Sequence, residues 1–403
     1  MLRRAPTILF IHDSFPGQFG ALCRWLADQG WQVAFATEAQ APASEGIRIL
    51  RYAPHRAPSP QTHPYAQPMD RAAIKAQAFA RVALAARRDG FRPDVIVAHS
   101  GWGAGMFAKQ IFPKARFVAY CEWWYRFPGV DVSWLTANGY PLAVSPEAPL
   151  HEQARNAPIA MDLAAADAAV CPTVFQAAQF PRVFRDAMTV LHDGIDTSFF
   201  RPDPSAQHDA FGGLVSENSR VVSYATRGME PHRGFPQFMA ALPKVLAACP
   251  EAIAVVAGEN RVCYGGENFR RTDWRERALA QNDIDPARIR FTGRLDRATY
   301  LRLLQRSDAH VYLTVPFVLS WSMLEAMSAG CAMVVSDTDP VREFVDTEAA
   351  VLTDLASPAA VADGIVATLL EPEAARRARA RWIVEERAPS LRAVRNWKAL
   401  LDA

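Results

Sequence analysis

The sequence predicts an α/β protein of two Rossmann-like, doubly wound domains, and three observations carry that reading. The chain has 403 residues, more than one hydrophobic core usually serves. Short apolar runs of strand length, TILFI, WQVAFAT, IRILRYA, DVIVAHS, RFVAYCE and AAVCP, alternate with longer amphipathic stretches. That rhythm belongs to a parallel sheet with crossover helices. A second series follows in RVVSYAT, AIAVVAG, RIRFTG, AHVYLT, AMVVSD and AAVLTD.

Between the two series, FFRPDPSAQHDAFGG concentrates Pro, Ser, Asp and Gly and loses apolar periodicity, as a linker does. The expected division is an N-terminal domain over residues 1–204, a linker over 205–213 and a C-terminal domain over 214–385. A final helix over 386–403 is free to pack back on the N-terminal domain.

Lys and Arg number 44 against 42 Asp and Glu, a formal charge of +2. So small a balance argues against nucleic acid as a partner of the whole molecule. The cysteines, Cys23, Cys121, Cys171, Cys249, Cys263 and Cys331, form no C-x-x-C pair and no zinc spacing, so reduced, mostly buried thiols are expected. Near the start, basic residues precede an apolar run, but the run is about five residues long and meets His12 and Asp13, which suits a buried strand and not a signal peptide or membrane span. A cytoplasmic protein is expected.

The segment APHRAPSPQTHPYAQPM is long and proline-rich, and composition alone leaves a disordered flap and a functional loop equally open. The helix expected from Asp70 to Asp89 carries Arg71, Lys75, Arg81, Arg87 and Arg88. Peripheral contact with the anionic inner membrane is one reading. A solvated helix packed on the sheet is the other, and the modest apolar face favours it.

Ligands of open α/β sheets bind at the carboxyl ends of strands, so residues just after each apolar run are the informative ones. In YATRGMEPHRGF, Arg227 and Arg233 flank a turn between strand and helix; two guanidiniums converging there suit a diphosphate. Taken alone, a solvated pair of surface arginines explains them equally well. In TVPFVLSWSMLEAMSAG, a strand is expected to run through Ser320, Trp321 and Ser322 into a short helix containing Glu325. Its N-terminus favours phosphate, with the serines capping or donating and Glu325 accepting from a ribose diol.

With these pieces in place, the sequence resembles the family 4 glycosyltransferases, retaining enzymes with the GT-B fold, in which two Rossmann-like domains face each other across a cleft. Their second domain carries an Arg and a Lys after its first strand, then a Glu-x7-Glu motif leading into EAMA-G. Arg227 and Arg233 match the two cations, and LEAMSAG places Glu325 in the ribose-binding position. In the first domain, PDVIVAHSGWGAG resembles the strand whose terminal His faces the donor sugar, giving His99 that role. FIHDSFPGQFG resembles the first strand and its glycine loop, where Gly17 lets backbone amides approach the ligand. Together with THPY, CEWWYRF and GMEPHRGF, these pieces look like a bacterial subgroup of the family. One departure stands out: the first Glu of Glu-x7-Glu is replaced by Phe317. An aromatic ring there implies either an apolar contact to the sugar or a polar contact supplied by another residue.

The resemblance implies a nucleotide-sugar donor, with UDP favoured over GDP, and a glycan or lipid-linked acceptor. No Asp-x-Asp stands at a strand end, so metal independence and no cofactor are expected, the arginines and helix dipole holding the leaving diphosphate. The acceptor is expected on the first domain, with His63, Tyr65, Glu122, Trp123, Tyr125 and Arg126 as candidates. Backbone groups near Phe291 to Arg294 are expected to hold the base. Alternatives are a non-catalytic nucleotide-sugar-binding protein, or an epimerase or phosphorylase of the same fold; no lysine-bearing pyridoxal phosphate signature supports the last.

Overall fold

A computed structural model describes residues 4–40, 42, 44–140, 146–206, 215–216, 218–371 and 373–402. The chain divides into two units, the first Met1–Pro128, Ser145–Gly194 and Ser390–Ala403, the second Gly129–Val144 and Ile195–Pro389.

The first unit is built on a parallel sheet of β1 (Thr7–Ile11), β2 (Gln32–Thr37), β3 (Ile47–Arg51), β4 (Val95–His99), β5 (Arg116–Tyr120), β6 (Ala168–Cys171) and β7 (Met188–Val190). Its order is β3-β2-β1-β4-β5-β6-β7, so the winding direction reverses between β1 and β4. Helices cover both faces, which is why β1 and β4 read as unbroken apolar runs. Leu9 and Ile11 of β1 join the core beneath the helix Gln67–Arg88, while Ile8 and Phe10 join the core beneath Gly20–Asp28. The expected basic helix is therefore packed on the sheet through Phe79 and the alanines Ala78, Ala83 and Ala86. Among the described residues, no helix is long and apolar enough to cross a membrane.

The second unit repeats the plan with β8 (Arg220–Gly228), β9 (Ala252–Glu259), β10 (Ile289–Gly293), β11 (Ala309–Tyr312), β12 (Met333–Ser336) and β13 (Val351–Thr353). Its order, β10-β9-β8-β11-β12-β13, reverses between β8 and β11. Every apolar run read from the sequence is a strand. The one strand not foreseen is β7, a mostly exposed edge piece of 3 residues whose pairing needs no apolar run.

Two expectations about organisation change. The chain leaves the first unit at Gly194, ten residues before the expected end of the N-terminal domain, because Ile195 and Phe200 already fill the second core. Of the expected linker, residues 207–213 lie outside the described residues. The segment Gly129–Val144, from the middle of the expected first domain, belongs to the second unit. Within it, the helix Val130–Ala137 leads to Tyr140, whose ring meets Phe269 at 6.1 Å and Trp274 at 6.0 Å, and whose hydroxyl accepts from Gln237 Nε2 at 2.8 Å. The proline-rich segment is a folded loop, organised by the Asp70 carboxylate. That group accepts from Arg56 Nη2 at 2.9 Å, Thr62 Oγ1 at 3.1 Å and the Ser59 N–H at 3.3 Å.

The last helix, Ser390–Asp402, returns to the first unit and packs beside Gly20–Asp28. Trp397 is its anchor, buried against Tyr120 at 6.3 Å and Phe19 at 6.5 Å. Removing so large a buried ring leaves a cavity, so Trp397→Ala should destabilise the first unit by about 3 to 5 kcal/mol. Thermal melts should register it as a lowered transition for the first unit, with that of the second unit unchanged.

Candidate active site

Both switch points gather the residues that chemistry would use, each within its own unit. In the second unit β8 runs to Gly228 and is followed by a tight turn, Pro231–Arg233, and the helix Phe235–Ala248. Gly234 joins turn and helix at φ 64°, where a Cβ would come within 2.5 Å of the Leu313 Cβ. Glycine is needed there on both counts.

That turn buries Arg233. Its Nη1 donates to Thr314 Oγ1 at 3.0 Å and Val318 O at 3.0 Å, and lies 3.4 Å from the Tyr312 hydroxyl. The guanidinium lies over the rings of Tyr264 at 5.0 Å and Phe317 at 5.7 Å. Burial works against its charge, but Tyr312, Tyr264 and the buried Glu230 carboxyl raise it above the ordinary arginine range. Arg227, by contrast, is an exposed residue within β8. The two cations thus share one strand-to-turn segment but not one environment.

The expected strand through Ser320 ends earlier, at Tyr312, and an irregular segment carries the chain to the helix Trp321–Ser328. Ser320 is its N-cap: the serine Oγ accepts the Ser322 N–H at 3.3 Å and meets Ser322 Oγ at 2.9 Å. The Tyr312 hydroxyl accepts the Ser320 N–H at 2.9 Å, so one phenol ties the Arg233 environment to this helix start. Trp321 packs on the core behind the helix. Glu325, one turn in, lies beside Tyr300 and Arg297; burial pushes its carboxyl up to about 7. Phe317 packs edge-on against Tyr264 at 5.0 Å and His232 at 5.6 Å. Arg294 is exposed just beyond the end of β10.

In the first unit, Gly17 follows β1 at φ 51°, with its Cα against the His12 ring: a Cβ would stand 2.7 Å from that ring. His12 begins a chain of side-chain hydrogen bonds. Its Nδ1 accepts the Ser14 N–H at 2.9 Å, so its proton sits on Nε2, facing Gln18 Oε1 at 2.7 Å. Gln18 Nε2 donates to Glu122 Oε1 at 2.6 Å, and Glu122 Oε2 faces His99 Nε2 at 3.0 Å. His99 Nδ1 lies 3.2 Å from the Ser100 carbonyl, so both ring nitrogens are turned toward oxygen acceptors. Burial and the neighbouring His99 lower His12 to about 4, keeping it neutral. Burial raises Glu122, but His99 and Gln18 outweigh it and hold the carboxyl below the usual range. Trp102 stacks on His99 at 4.0 Å. The buried Asp162 fixes the following loop, accepting from the Gly101 N–H at 3.0 Å and Ser100 Oγ at 3.1 Å.

The expected acceptor residues meet several different partners. Glu122 belongs to the His99 chain, both carboxylate oxygens being used there. Tyr125 lies under the Arg155 guanidinium at 3.4 Å, and its backbone is clamped by Asn156 through bonds of 2.9 and 2.7 Å. Trp123 meets Phe175 at 6.2 Å, and Arg126 is exposed. His63 packs on Tyr65 at 5.0 Å, and Tyr65 packs on His151 at 4.8 Å. Sequence reasoning missed Gln18, Tyr264, Tyr300 and Asp162. Gln18 stood inside a quoted motif, whereas Tyr264 follows β9 in a stretch with no recognisable pattern.

The fold is similar to that of the Anabaena protein HepE in complex with UDP and glucose, at a TM-score of 0.71 and 17% identity over 98% of this chain and 99% of that one. It is similarly close to sucrose-phosphate synthase from Thermosynechococcus elongatus, with a TM-score of 0.72 and 18% identity over 98% of each chain. Residues 29–200 match the family described as Glycosyl transferase family 4 group, and residues 219–371 match Glycosyl transferases group 1. The chain has the GT-B fold, and a glycosyltransferase family model matches a stretch in each half of it. Over 185 residues the chain is 30% identical to the phosphatidyl-myo-inositol mannosyltransferase of Mycolicibacterium smegmatis, covering 45% of the chain and 41% of the relative. With the same-named protein of Mycobacterium tuberculosis strain H37Rv it shares 27% identity over 185 residues, 44% of each. The match thus spans less than half the length of these curated relatives.

Glu325 makes stability depend on pH. Its folded pKa of about 7 exceeds the ordinary 4.5, so between those values the folded protein binds more protons than the unfolded one. The contribution is full below pH 4.5 and is lost as pH rises through about 7. Glu325→Gln should therefore flatten the decline in melting temperature from pH 4.5 to 8, while the wild type falls more steeply.

Proposed function

We propose that this chain is a glycosyltransferase that moves a sugar from a nucleoside-diphosphate sugar, UDP favoured over GDP, to a hydroxyl of a glycan or lipid-linked acceptor. The reaction retains the donor's anomeric configuration and needs no metal ion. Its setting is the cytoplasmic assembly of bacterial cell-surface polysaccharide or glycoconjugate. The observation that carries this reading is Arg233, a permanent cation built into the β8–β11 switch point and joined through Tyr312 to a helix N-terminus. The likeness to a fold solved with UDP and glucose, and to mannosyltransferases, supports the substrate class.

In this mechanism the barrier lies in separating a negative diphosphate from an oxocarbenium-like sugar. Arg233, Arg227 and the Ser320–Ser322 helix start stabilise the departing charge without the reorganisation that water would need. Glu325 holds the ribose. His99, oriented by Glu122, positions the sugar, and the departing phosphate takes the acceptor proton on the same face. Gly17 gives backbone amides access to the ligand.

A non-catalytic nucleotide-sugar binder is the second reading, favoured by one observation: Arg233 Nη1 already serves protein oxygens. The readings separate on incubation with labelled nucleotide sugars and cell-envelope extract, run in parallel with magnesium and with excess EDTA. A transferase yields a labelled acceptor with the donor's anomeric configuration by NMR, and Arg233→Gln, which removes the charge, should lower kcat roughly 100- to 1,000-fold, the usual cost of losing a charge-stabilising group. Label that stays on the nucleotide favours the binder; activity abolished by EDTA removes the metal-free mechanism.

A further inference from the structure

The carboxylate absent at position 317 has a neighbour that supplies another. The helix Val130–Ala137 comes from the first half of the chain but belongs to the second unit, and its first turn brings Asp131 to the turn that carries Arg233. Asp131 Oδ2 lies 3.7 Å from His232 Nε2. That is beyond a direct hydrogen bond, so neither group saturates the other.

His232 is 4% exposed, and its Nδ1 is buried without a hydrogen-bond partner in the described structure. Three rings surround the imidazole: Phe317 at 5.6 Å, Phe269 at 5.9 Å and Tyr264 at 6.2 Å. Its backbone is equally fixed, the His232 carbonyl accepting the Val315 N–H at 3.0 Å. A buried polar atom left unpaired is costly and uncommon in folded proteins, so its retention calls for an explanation. Asp131, with 14% of its side chain exposed, keeps the pair open to a ligand.

We infer that Asp131 and His232 read hydroxyls of the donor sugar, replacing the carboxylate that Phe317 displaces; the inference rests on the transferase reading. The carboxylate accepts from a hydroxyl, the imidazole donates to or accepts from the same or the adjacent one, and the Phe317 ring walls the apolar side of the sugar. Donor choice is thereby moved from the segment after β11 to an arm contributed by the first half of the chain. The class of donor is a sugar that keeps a free hydroxyl at the position read.

Calorimetry on the full chain tests this with UDP, GDP, ADP and dTDP, and with the glucose, galactose, mannose and N-acetylglucosamine esters of whichever diphosphate binds. Asp131→Asn, which keeps the shape of the side chain, should leave bare diphosphate affinity within about twofold. The extra affinity conferred by the preferred sugar should fall roughly 10- to 100-fold, as for loss of a hydrogen bond to a charged group. Asp131→Glu should recover part of it. Among monodeoxy forms of the preferred donor, one should bind wild type and Asp131→Asn equally. Equal losses for diphosphate and sugar ester would mean a structural role and overturn the inference, as would no loss at all. A wild type that gains nothing from any sugar also overturns it. A wild type that binds no nucleoside diphosphate removes the transferase reading, and this inference with it.

Discussion

A guanidinium withdrawn from water constrains everything around it, and the switch point of the second unit is arranged about Arg233. Burying a permanent charge is expensive unless the surroundings supply acceptors in fixed positions. Here they come from the irregular segment after β11, from Thr314 and the Val318 carbonyl, with Tyr312 at the strand end. The same tyrosine holds the Ser320 N–H, so the register of the helix Trp321–Ser328 depends on the side chain that the arginine also faces. Tyr264, Phe317 and His232 close the space above. A small change in any of them displaces a charge and not merely a contact.

The first unit solves a related problem with neutral and anionic groups. The bonds from Ser14 through His12, Gln18 and Glu122 to His99 fix each amide and imidazole in one orientation, because every acceptor in the chain has one available donor. Gly17 is pressed against the start of that chain. A ligand meeting the loop after β1 therefore meets a surface whose polar atoms are already oriented, which is what lowers the reorganisation cost of binding. Glu122 acts here through His99.

Much of this was legible in the sequence because parallel sheets bury both faces and write their strands as continuous apolar runs. β7 was not, since an edge strand with two exposed residues of three has no such signature. Nor could the arm at Val130–Ala137 be assigned to the second unit, for its membership depends on where Tyr140 and Asp131 dock and not on local composition. LEAMSAG marked the helix with Glu325, but the motif said nothing of Ser320 as its cap or of where β11 stops. The two arginines looked equivalent in YATRGMEPHRGF. Only the path of the chain after β8 makes one a buried anchor and leaves the other in solvent.

The claim on which the rest stands is that this switch point holds a nucleoside diphosphate by protein charge alone. A crystal structure of the full chain with UDP, grown with EDTA present and compared with one grown with magnesium, addresses it directly. The account predicts diphosphate oxygens within about 3 Å of hydrogen-bond donors from Arg233 or Arg227 and from the Ser320–Ser322 end of the helix, with the same pose in both crystals. Diphosphate density elsewhere on the second unit, or density that needs a divalent cation bridging it to protein carboxylates, would contradict it.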